Sequence, residues 1–188
     1  MIVDKIRSKR NIEIRFFLSP AAARRLIRTW HEEGRDVEPH AYIDYYFVKG
    51  SSKAKVRKWL SRHTPKIELI LFSRKGKVKT EKRKGVKSVQ DAIDELEGKE
   101  YDSHITVTKK NGWRATSGGP QTSCELVADL GWTGEIEIPP GERKRTNELI
   151  AGLKALGATG FTIKSMLQIL EDKYGKKKPR APKQRSLF

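Results

Sequence analysis

Strict alternation of charged and apolar side chains is the feature that most constrains how this chain folds. In NIEIRFF, residues 11–17, the charged residues Glu13 and Arg15 alternate with isoleucine and phenylalanine. The segment GEIEIPP, residues 134–140, repeats the pattern with Glu135 and Glu137. Because successive side chains of a strand point to opposite faces, each segment has one charged and one apolar face. Both segments are therefore predicted to be strands whose apolar face is covered.

The length of the chain indicates one domain with a packed core. It has 188 residues, of which 36% are hydrophobic and 34% are charged. A chain of this length can bury a sizeable core but is short for two ordinary domains. We expect one domain over residues 1–175, followed by a tail over residues 176–188. The tail, KKKPRAPKQRSLF, is basic and contains two prolines, which predicts disorder.

The charge balance predicts a polyanionic partner. Forty Lys and Arg residues against 23 Asp and Glu residues leave a formal charge of +17, which favours nucleic acid, nucleotides or polyphosphate. A single cysteine, Cys124, excludes an intramolecular disulfide and a cysteine-based zinc site. The four histidines show no metal-ligand spacing, so none is assigned a catalytic role. Without a membrane-length apolar run or a signal peptide, the sequence predicts a soluble cytoplasmic protein with no membrane partner.

Periodicity predicts eight to nine strands and four helices. A Ser19 cap followed by Pro20 begins the first helix, and a Ser88 cap begins the second, which Gly98 ends. Asn111-Gly112 is a strong hairpin signal, so residues 104–110 and 113–117 are predicted to be two strands. Further strands are predicted at residues 11–18, 40–48, 53–60, 66–73, 77–84, 122–129 and 134–140, and two helices follow Thr146 and Thr162.

This order of elements predicts an α+β fold, a closed or nearly closed antiparallel β-barrel of about eight strands with flanking helices. Antiparallel sheets of this size tend to close. A barrel whose inner face is charged must hold water, metal and an anionic ligand, because bare buried charges are costly. The alternative is a half-solvated sheet whose outer face carries ion-paired side chains.

Several charged motifs, taken in order, resemble those of the CYTH superfamily, the triphosphate tunnel metalloenzymes, over roughly residues 11–172. The first family motif is a strand of the form E-x-E-x-K, which NIEIR resembles. An acidic and aromatic strand, a basic pair and an R-x-E-x-E strand follow it, matched by Asp44, by Lys55 with Arg57, and by Lys79, Glu81 and Arg83. An acid, a Leu-Gly turn and an E-x-E strand end the pattern, matched by Glu125, Leu130-Gly131 and Glu135-Ile136-Glu137.

The resemblance implies a tunnel in which carboxylates hold Mg²⁺ or Mn²⁺ and cations hold the phosphates of a triphosphate-bearing ligand. The residues that it places at the metal are Glu13, Glu135 and Glu137. The catalytic residues, which contact metal or position water, are Glu81 and Glu125. The phosphate-binding residues are Arg15, Lys55, Arg57, Lys79 and Arg83, with Lys109 or Lys110, between which strand parity does not decide.

Two positions depart from the family pattern and leave the activity open. Asn11 stands where the family has its first glutamate, and Arg83 where it has the second glutamate of its middle pair. The favoured function is a metal-dependent triphosphate hydrolase that acts on a 5′-triphosphorylated RNA end, a nucleotide or inorganic triphosphate. The alternatives are a noncatalytic nucleic-acid or polyphosphate binder on the same barrel and a class IV adenylyl cyclase.

The surplus of positive charge favours nucleic acid, RNA more than DNA, as a partner. Trp59, Trp113 and Trp132 lie near basic residues or glycine and either stack on bases or pack at the rim of the core. In the tail, QRSLF over Gln184–Phe188 resembles the short motif by which replication proteins dock on a sliding clamp. The alternative is a solubilising or nucleic-acid-contacting tail without a specific partner.

Overall fold

The computed structural model describes residues 11–60, 66–75 and 78–174, and the side chains of residues 73–80 lie outside that description. The tail over residues 176–188, including the Gln184–Phe188 segment, also lies outside it. The strands of the described residues are β1 (Ile12–Leu18), β2 (Val37–Lys49), β3 (Ser52–Trp59), β4 (Ile67–Lys75), β5 (Val78–Gly85), β6 (Asp102–Ala115), β7 (Gln121–Val127), β8 (Gly131–Ile138) and β9 (Thr159–Thr162). The α-helices are α1 (Pro20–Glu32), α2 (Val89–Glu97), α3 (Thr146–Ala155) and α4 (Met166–Tyr174), and a 3-10 helix spans Pro140–Arg145.

The nine strands of the described residues form an antiparallel sheet in the order β5-β4-β3-β2-β6-β7-β8-β1-β9. The pairs β1–β8, β1–β9, β2–β3, β3–β4, β4–β5, β6–β7 and β7–β8 are all antiparallel, which confirms the α+β class with an antiparallel sheet. The order begins at β5 and ends at β9, so closure into a barrel is not confirmed and stays a prediction.

The chain divides into two compact units, each with its own core. Within the described residues, unit 1 comprises residues 11–40 and 109–165, and unit 2 comprises residues 41–60, 66–75, 78–108 and 166–174. The prediction of a single domain over residues 1–175 is not tested by this division and stays a prediction.

The core of unit 1 lies on the apolar face of the predicted first strand. Ile12, Ile14 and Phe16 of β1 are buried there, together with apolar residues of α1, α3, β7 and β8. Leu26 and Trp30 of α1 face this core, because they follow the four-residue spacing of one helix face. The isoleucines of the alternating strands therefore face the helices, as the sequence predicts.

The core of unit 2 lies between the β2–β3–β4 sheet and α2. Phe47, Val56 and Leu69 lie on adjacent strands and pack against Ala92 and Leu96 of the helix. Burial of these side chains leaves the opposite face of the three strands for the polar and aromatic residues described below.

Local capping signals begin the first two helices where the sequence predicts them. The Ser19 hydroxyl accepts a hydrogen bond from the Ala22 N–H at 3.1 Å, and Pro20 occupies the first turn. The Ser88 hydroxyl accepts one from the Asp91 N–H at 3.0 Å. Each serine satisfies a backbone N–H that has no partner within the helix, which fixes the start of α1 and α2.

The predicted hairpin at Asn111-Gly112 is wrong. Residues 102–115 form one continuous strand, β6, and its register against β7 shifts between Lys110 and Trp113, where β6 holds one extra residue. Asn111 lies in the left-handed region with φ of 48°, a conformation that asparagine tolerates. The same chemistry that favours a two-residue turn therefore forms a β-bulge here.

A further difference concerns the short strand β9, which the sequence does not predict. Its four residues, Thr159–Thr162, pair with β1 through Arg15↔Thr162 and Phe17↔Thr159. A strand this short has too few residues for an alternating pattern, so its pairing depends on the neighbouring strand.

In the part of the chain that the structure describes, no helix has the length and apolar character needed to cross a membrane.

Candidate functional site

Strand register collects acidic and basic side chains on one face of unit 1. Across the β1–β8 pair, Glu13 lies opposite Glu137 and Arg15 lies opposite Glu135. Across the β7–β8 pair, Gln121 lies opposite Glu137. Because directly opposed residues project to the same face, these side chains share the face that points away from the isoleucine core. The alternation predicted at residues 11–17 and 134–140 therefore brings two charged strands side by side.

Arg15 lies at the centre of this polar face. Its Nη2 atom is 3.0 Å from Oε2 of Glu13 and also contacts Oε2 of Glu135. Its Nη1 atom donates to the Lys164 carbonyl oxygen at 3.0 Å. Arg15, predicted to bind phosphate, is thus paired with two of the residues predicted to bind metal.

Glu135 is the carboxylate on which the surrounding charges converge. Burial raises the pKa of Glu135 by penalising the charged form, and the negative charges of Glu13 and Glu125 raise it further. The positive charges of Arg15 and Lys109 act in the opposite direction, but the net shift is upward. A further cation near Glu135, in addition to Arg15 and Lys109, would favour its ionised form.

Glu137 is held by neutral donors instead. The side-chain amide of Gln121 donates to Oε1 at 3.3 Å, and that of Asn11 lies 3.5 Å from Oε2. Glu13, Glu135 and Glu137 supply carboxylate oxygens, the donor type that Mg²⁺ and Mn²⁺ prefer. Over the described residues, however, no group of three His, Cys, Asp or Glu side chains is arranged to hold a metal ion. The carboxylate oxygens are donors that fit such an ion, but the Arg15 guanidinium lies between the carboxylates of Glu13 and Glu135.

A second cluster in unit 1 surrounds Glu125, which is only 5% exposed. The Lys109 ammonium contacts Oε1 of Glu125, and Nε2 of His40 lies 3.0 Å from Oε2. Burial alone would raise the pKa of Glu125, but the charge and hydrogen bonds of Lys109 and His40 outweigh it and hold that pKa well below its usual range. Glu125 is therefore a buried carboxylate that stays ionised because two partners bind it.

Glycine at position 112 leaves room for His40, one of the two partners of Glu125. A Cβ atom on Gly112 would overlap Nε2 of His40 and lie 2.8 Å from its backbone oxygen, so only glycine leaves room for that ring. Strand alternation separates the two lysines that precede the bulge. Lys109 is buried and contacts Glu125, whereas its neighbour Lys110 is exposed and belongs to the opposite face. Lys109 thus joins the polar cluster and Lys110 does not.

In unit 2, the fully buried carboxylate of Asp44 pairs with Arg57 across the β2–β3 ladder. The guanidinium binds both carboxylate oxygens, with Nε to Oδ1 at 2.6 Å and Nη2 to Oδ2 at 2.7 Å. It also lies 3.8 Å from the ring centroid of Tyr42. Burial would lower the pKa of Arg57, but the hydrogen bond and charge of Asp44 and the tyrosines raise it overall. Arg57, predicted to bind phosphate, is therefore engaged by an acid and an aromatic ring.

Lys55 lies beside this pair with an aromatic side chain on either side. Its Nζ atom is 3.5 Å from Oδ2 of Asp44. The same atom lies 5.8 Å from the ring centroid of Tyr46 and 5.6 Å from that of Phe72, distances at which a ring attracts a cation. The buried Asp44 carboxylate thus contacts both Lys55 and Arg57, the two residues of these strands that are predicted to bind phosphate.

The remaining predicted residues of unit 2 lie on β5. Arg83 and Glu81 form an ion pair of 2.5 Å, with the Arg83 side chain 52% exposed. Arg83, which stands where the family pattern has a glutamate, thus neutralises the neighbouring acid. The backbone of Lys79 in β5 pairs with that of Arg74 in β4, but the Lys79 side chain lies outside the described residues.

Three residues of these clusters lie outside the predicted site: His40, Asp44 and Gly112. The sequence assigns His40 no role, although its alternation with Tyr42 and Asp44 along β2 predicts a shared face. Asp44 matches a family motif without a predicted site role, and Gly112 is predicted to be a turn residue. The contact between His40 and Glu125 joins residues 85 positions apart, which no local pattern reveals.

Solved structures resemble this chain in fold. No family model and no curated protein matches it. The PH1819 protein from Pyrococcus horikoshii has 16% identity and a TM-score of 0.69, covering 87% of this chain and 99% of its own. A candidate adenylate cyclase from Vibrio parahaemolyticus has 11% identity and a TM-score of 0.63, covering 88% and 99%.

A candidate adenylyl cyclase from Hippeastrum with a dominant triphosphatase activity has 18% identity and a TM-score of 0.55, covering 90% of this chain and 98% of its own. At these identities the likeness concerns the fold. The shared fold agrees with the resemblance to the CYTH superfamily that the charged strands indicate, and it shows the fold alone.

Proposed function

We propose that this protein is a metal-dependent triphosphate hydrolase that acts on a 5′-triphosphorylated RNA end, a nucleotide or inorganic triphosphate. The observation that carries the proposal is the pair of cations Arg15 and Lys109, which lie with four carboxylates on one face of unit 1. The side chains of Arg15 and Lys109 are only 12% and 8% exposed. The activities of fold neighbours with cyclase and triphosphatase descriptions are consistent with this substrate class.

Ion-pair exchange explains why cations and carboxylates occur together. Buried cations need anionic partners, because an unpaired buried charge is strongly destabilising. Glu13, Glu125 and Glu135 supply those partners to Arg15 and Lys109. A phosphate chain offers oxygen acceptors of the same kind and binds arginine through two parallel hydrogen bonds. The proposed substrate therefore replaces Glu13 and Glu135 as the partner of Arg15, while Lys109 keeps its contact with Glu125 and adds one with phosphate.

The carboxylates that lose Arg15 then require another cation. Glu13, Glu135 and Glu137 carry the oxygen donors that would hold Mg²⁺ or Mn²⁺. Such an ion, when bound, neutralises developing charge on the phosphates and polarises water. Burial and neighbouring acids raise the pKa of Glu135. A bound cation would stabilise the ionised form of this carboxylate, which agrees with a role as metal ligand.

In the proposed reaction, water attacks the terminal phosphorus and the bond to the bridging oxygen breaks, so that orthophosphate and a shortened phosphate chain are released. Arg15 and Lys109 stabilise charge on the phosphate oxygens, which is the main source of catalysis in phosphoryl transfer. Glu125 stays ionised through its two partners and accepts hydrogen bonds, so it orients Lys109 and water. In unit 2, Glu81 is proposed to accept hydrogen bonds and to orient water. Lys55 and Arg57 of the same unit are proposed to contact phosphate.

A specific observation also favours the noncatalytic binder as a second candidate. Arg15 is ion-paired with two predicted metal ligands, Glu13 and Glu135. In addition, Asn11 and Arg83 stand where the family pattern has two further carboxylates. A site with fewer free carboxylates would bind a phosphate chain through cations alone. This candidate predicts tight and salt-sensitive binding without phosphate release.

Phosphate release tests the proposal. Inorganic triphosphate, ATP and 5′-triphosphorylated RNA are each supplied with Mg²⁺ or Mn²⁺, and wild type is compared with Glu135→Ala/Glu137→Ala and with Lys87→Gln, an exposed residue outside the site. We expect metal-dependent release that the double variant loses by a factor of about 100 or more and Lys87→Gln retains. Cyclic AMP from ATP would instead identify a cyclase. Binding without release from any substrate would identify the binder.

A further inference from the structure

An open groove of about 530 Å³ lies in unit 1 between α1 and β6, away from the polar face described above. We call it the α1 groove; it is lined by Arg24, Ile27, Arg28, His31, Glu32 and Trp113. The lining residues of α1 at positions 24, 27, 28 and 31 follow the spacing of one helix face. The opposite face of the helix, which includes Leu26 and Trp30, is buried in the core.

The floor of the α1 groove is apolar and aromatic. Trp113 packs partly against the core of unit 1, and Ile27 of α1 does the same. The His31 ring meets the Trp113 ring edge to face, with centroids 6.5 Å apart and planes at 74°. Both ring systems thus line the same open groove, where a planar ligand can stack on them. The bulge at Asn111-Gly112 is what turns Trp113 to this face, because without the extra residue its parity would match that of Lys109.

The rim of the α1 groove is basic. Arg24 and Arg28 are exposed one helix turn apart. Arg28 pairs with Glu32 at 3.4 Å, but their side chains are 70% and 65% exposed, so the pair contributes little and a phosphate can replace the carboxylate. Together with a net charge of +17, this rim complements a polyanion.

We propose that the α1 groove is a docking site for single-stranded RNA, in which a base stacks on Trp113 and backbone phosphates contact Arg24 and Arg28. Aromatic platforms beside cations are the general means by which proteins bind single strands without reading sequence. A bare phosphate chain would use the rim but not the rings. The groove therefore adds recognition of the RNA body to the site on the polar face, and its binding does not depend on hydrolysis there.

The test measures fluorescence anisotropy of a short 5′-hydroxyl oligouridylate, which carries no triphosphate, at several salt concentrations. For Arg24→Gln/Arg28→Gln we expect weaker binding and a slope of log affinity against log salt that is smaller by roughly 1.4, which is two contacts at about 0.7 each. The matched control is Lys87→Gln/Lys144→Gln, which removes the same charge from exposed positions outside the groove. It should leave the slope nearly unchanged.

Two variants of Trp113 test whether an RNA base stacks on its ring. Two are needed because this side chain also packs on the core of unit 1, so a single variant would not separate lost stacking from lost packing. Trp113→Leu should weaken RNA binding by about 5- to 100-fold, while Trp113→Phe, which keeps a ring, should restore most of it. Binding of inorganic polyphosphate should be nearly equal in the two variants. Circular dichroism and thermal melting check that both are folded.

Equal losses in the groove variant and the charge control would overturn the inference, as would equal RNA affinity of the Leu and Phe variants. Failure of wild type to bind the oligouridylate at low salt would do the same. Loss of RNA binding with unchanged hydrolysis of inorganic triphosphate supports the groove and leaves the proposed function standing. Groove-dependent RNA binding by a protein that hydrolyses nothing supports the groove alone.

Discussion

Asp44 and Arg57 face each other across the β2–β3 ladder, and two hydrogen bonds of 2.6 and 2.7 Å join the carboxylate to the guanidinium. The Asp44 side chain is fully buried, and the Arg57 side chain is 8% exposed. Two parallel hydrogen bonds of this kind need the planar guanidinium, which lysine cannot reproduce. The pair thus has a structural role in unit 2 in addition to any contact with phosphate.

Substitution of Arg57 by lysine is expected to destabilise the protein although the charge is kept. We expect a loss of about 1.5–3 kcal/mol in the free energy of unfolding, because one charged hydrogen bond is lost and the stack on Tyr42 is weakened. Urea denaturation measures the loss. Arg145→Lys, at a side chain that is 54% exposed, is the control and should change stability by less than about 0.5 kcal/mol. Equal stability of the two variants would contradict a structural role for the pair.

Gly112 is expected to be intolerant of any side chain. In Gly112→Ala, the new methyl group would meet the His40 ring and backbone, so the ring must move and its contact with Glu125 must break. We expect a loss of roughly 2–4 kcal/mol, since overpacking and a damaged buried network act together. The matched control is Gly152→Ala in α3, which meets open space.

This control should instead stabilise the protein by about 0.5–1 kcal/mol, because alanine favours a helix over glycine. Thermal unfolding of the two variants should therefore shift in opposite directions. A shift in the same direction would show that the space around Gly112 is not as tight as the contact with His40 requires.

The buried contact between Lys109 and Glu125 is expected to give a large coupling energy. Lys109→Met leaves a buried carboxylate and Glu125→Leu leaves a buried ammonium, so each single change should cost about 3–5 kcal/mol. The double variant replaces the pair by apolar side chains of similar size and should cost less than the sum by about 0.5–3 kcal/mol. Denaturant unfolding of all four proteins measures the cycle. Additive effects would mean that the two residues do not interact.

Stability at acid pH is expected to depend on Glu125. Because the folded state lowers the pKa of Glu125, the unfolded state binds more protons in acid, and the stability from this carboxylate rises with pH. It is fully present above the unfolded pKa of about 4.3 and is lost progressively as the pH falls below that value. The difference in unfolding free energy between wild type and Glu125→Gln should be constant from about pH 6 to 5 and shrink toward pH 3. A difference that grows in acid would contradict the assigned shift.

Cys124 is expected to resist thiol reagents in the folded protein. It is fully buried in the core of unit 1, and burial, reinforced by the charge of Glu125, raises its pKa to about 12. At pH 8 this leaves about one thiol in ten thousand ionised, against about a quarter for a free cysteine. Labelling with a thiol-reactive dye should be slow in buffer and fast in denaturant. Because the chain has a single cysteine, the label reports on unit 1 alone, and fast labelling in buffer would mean that this core opens readily.

Local patterns in the sequence determine most of the strands, the starts of the first two helices and the charged faces. The alternation of Glu13 and Arg15 with isoleucines predicts which side chains share a face, because the period of two is a property of a single strand. Ser19 and Ser88 predict helix starts for a similar reason, since each cap bonds a backbone group three residues away. These features depend on neighbours in sequence, and the structure confirms them.

Which charges meet is decided by the tertiary structure, because strand pairing joins residues far apart in sequence. The register of β1 on β8 places Arg15 against Glu135, and the β6–β7 pairing places Lys109 beside Glu125. One extra residue at Asn111-Gly112 reverses the parity of the residues that follow it and turns Trp113 into the α1 groove. A bulge and a two-residue turn use the same residue types, so the identity of residues 111 and 112 does not distinguish them, and the pairing with β7 does.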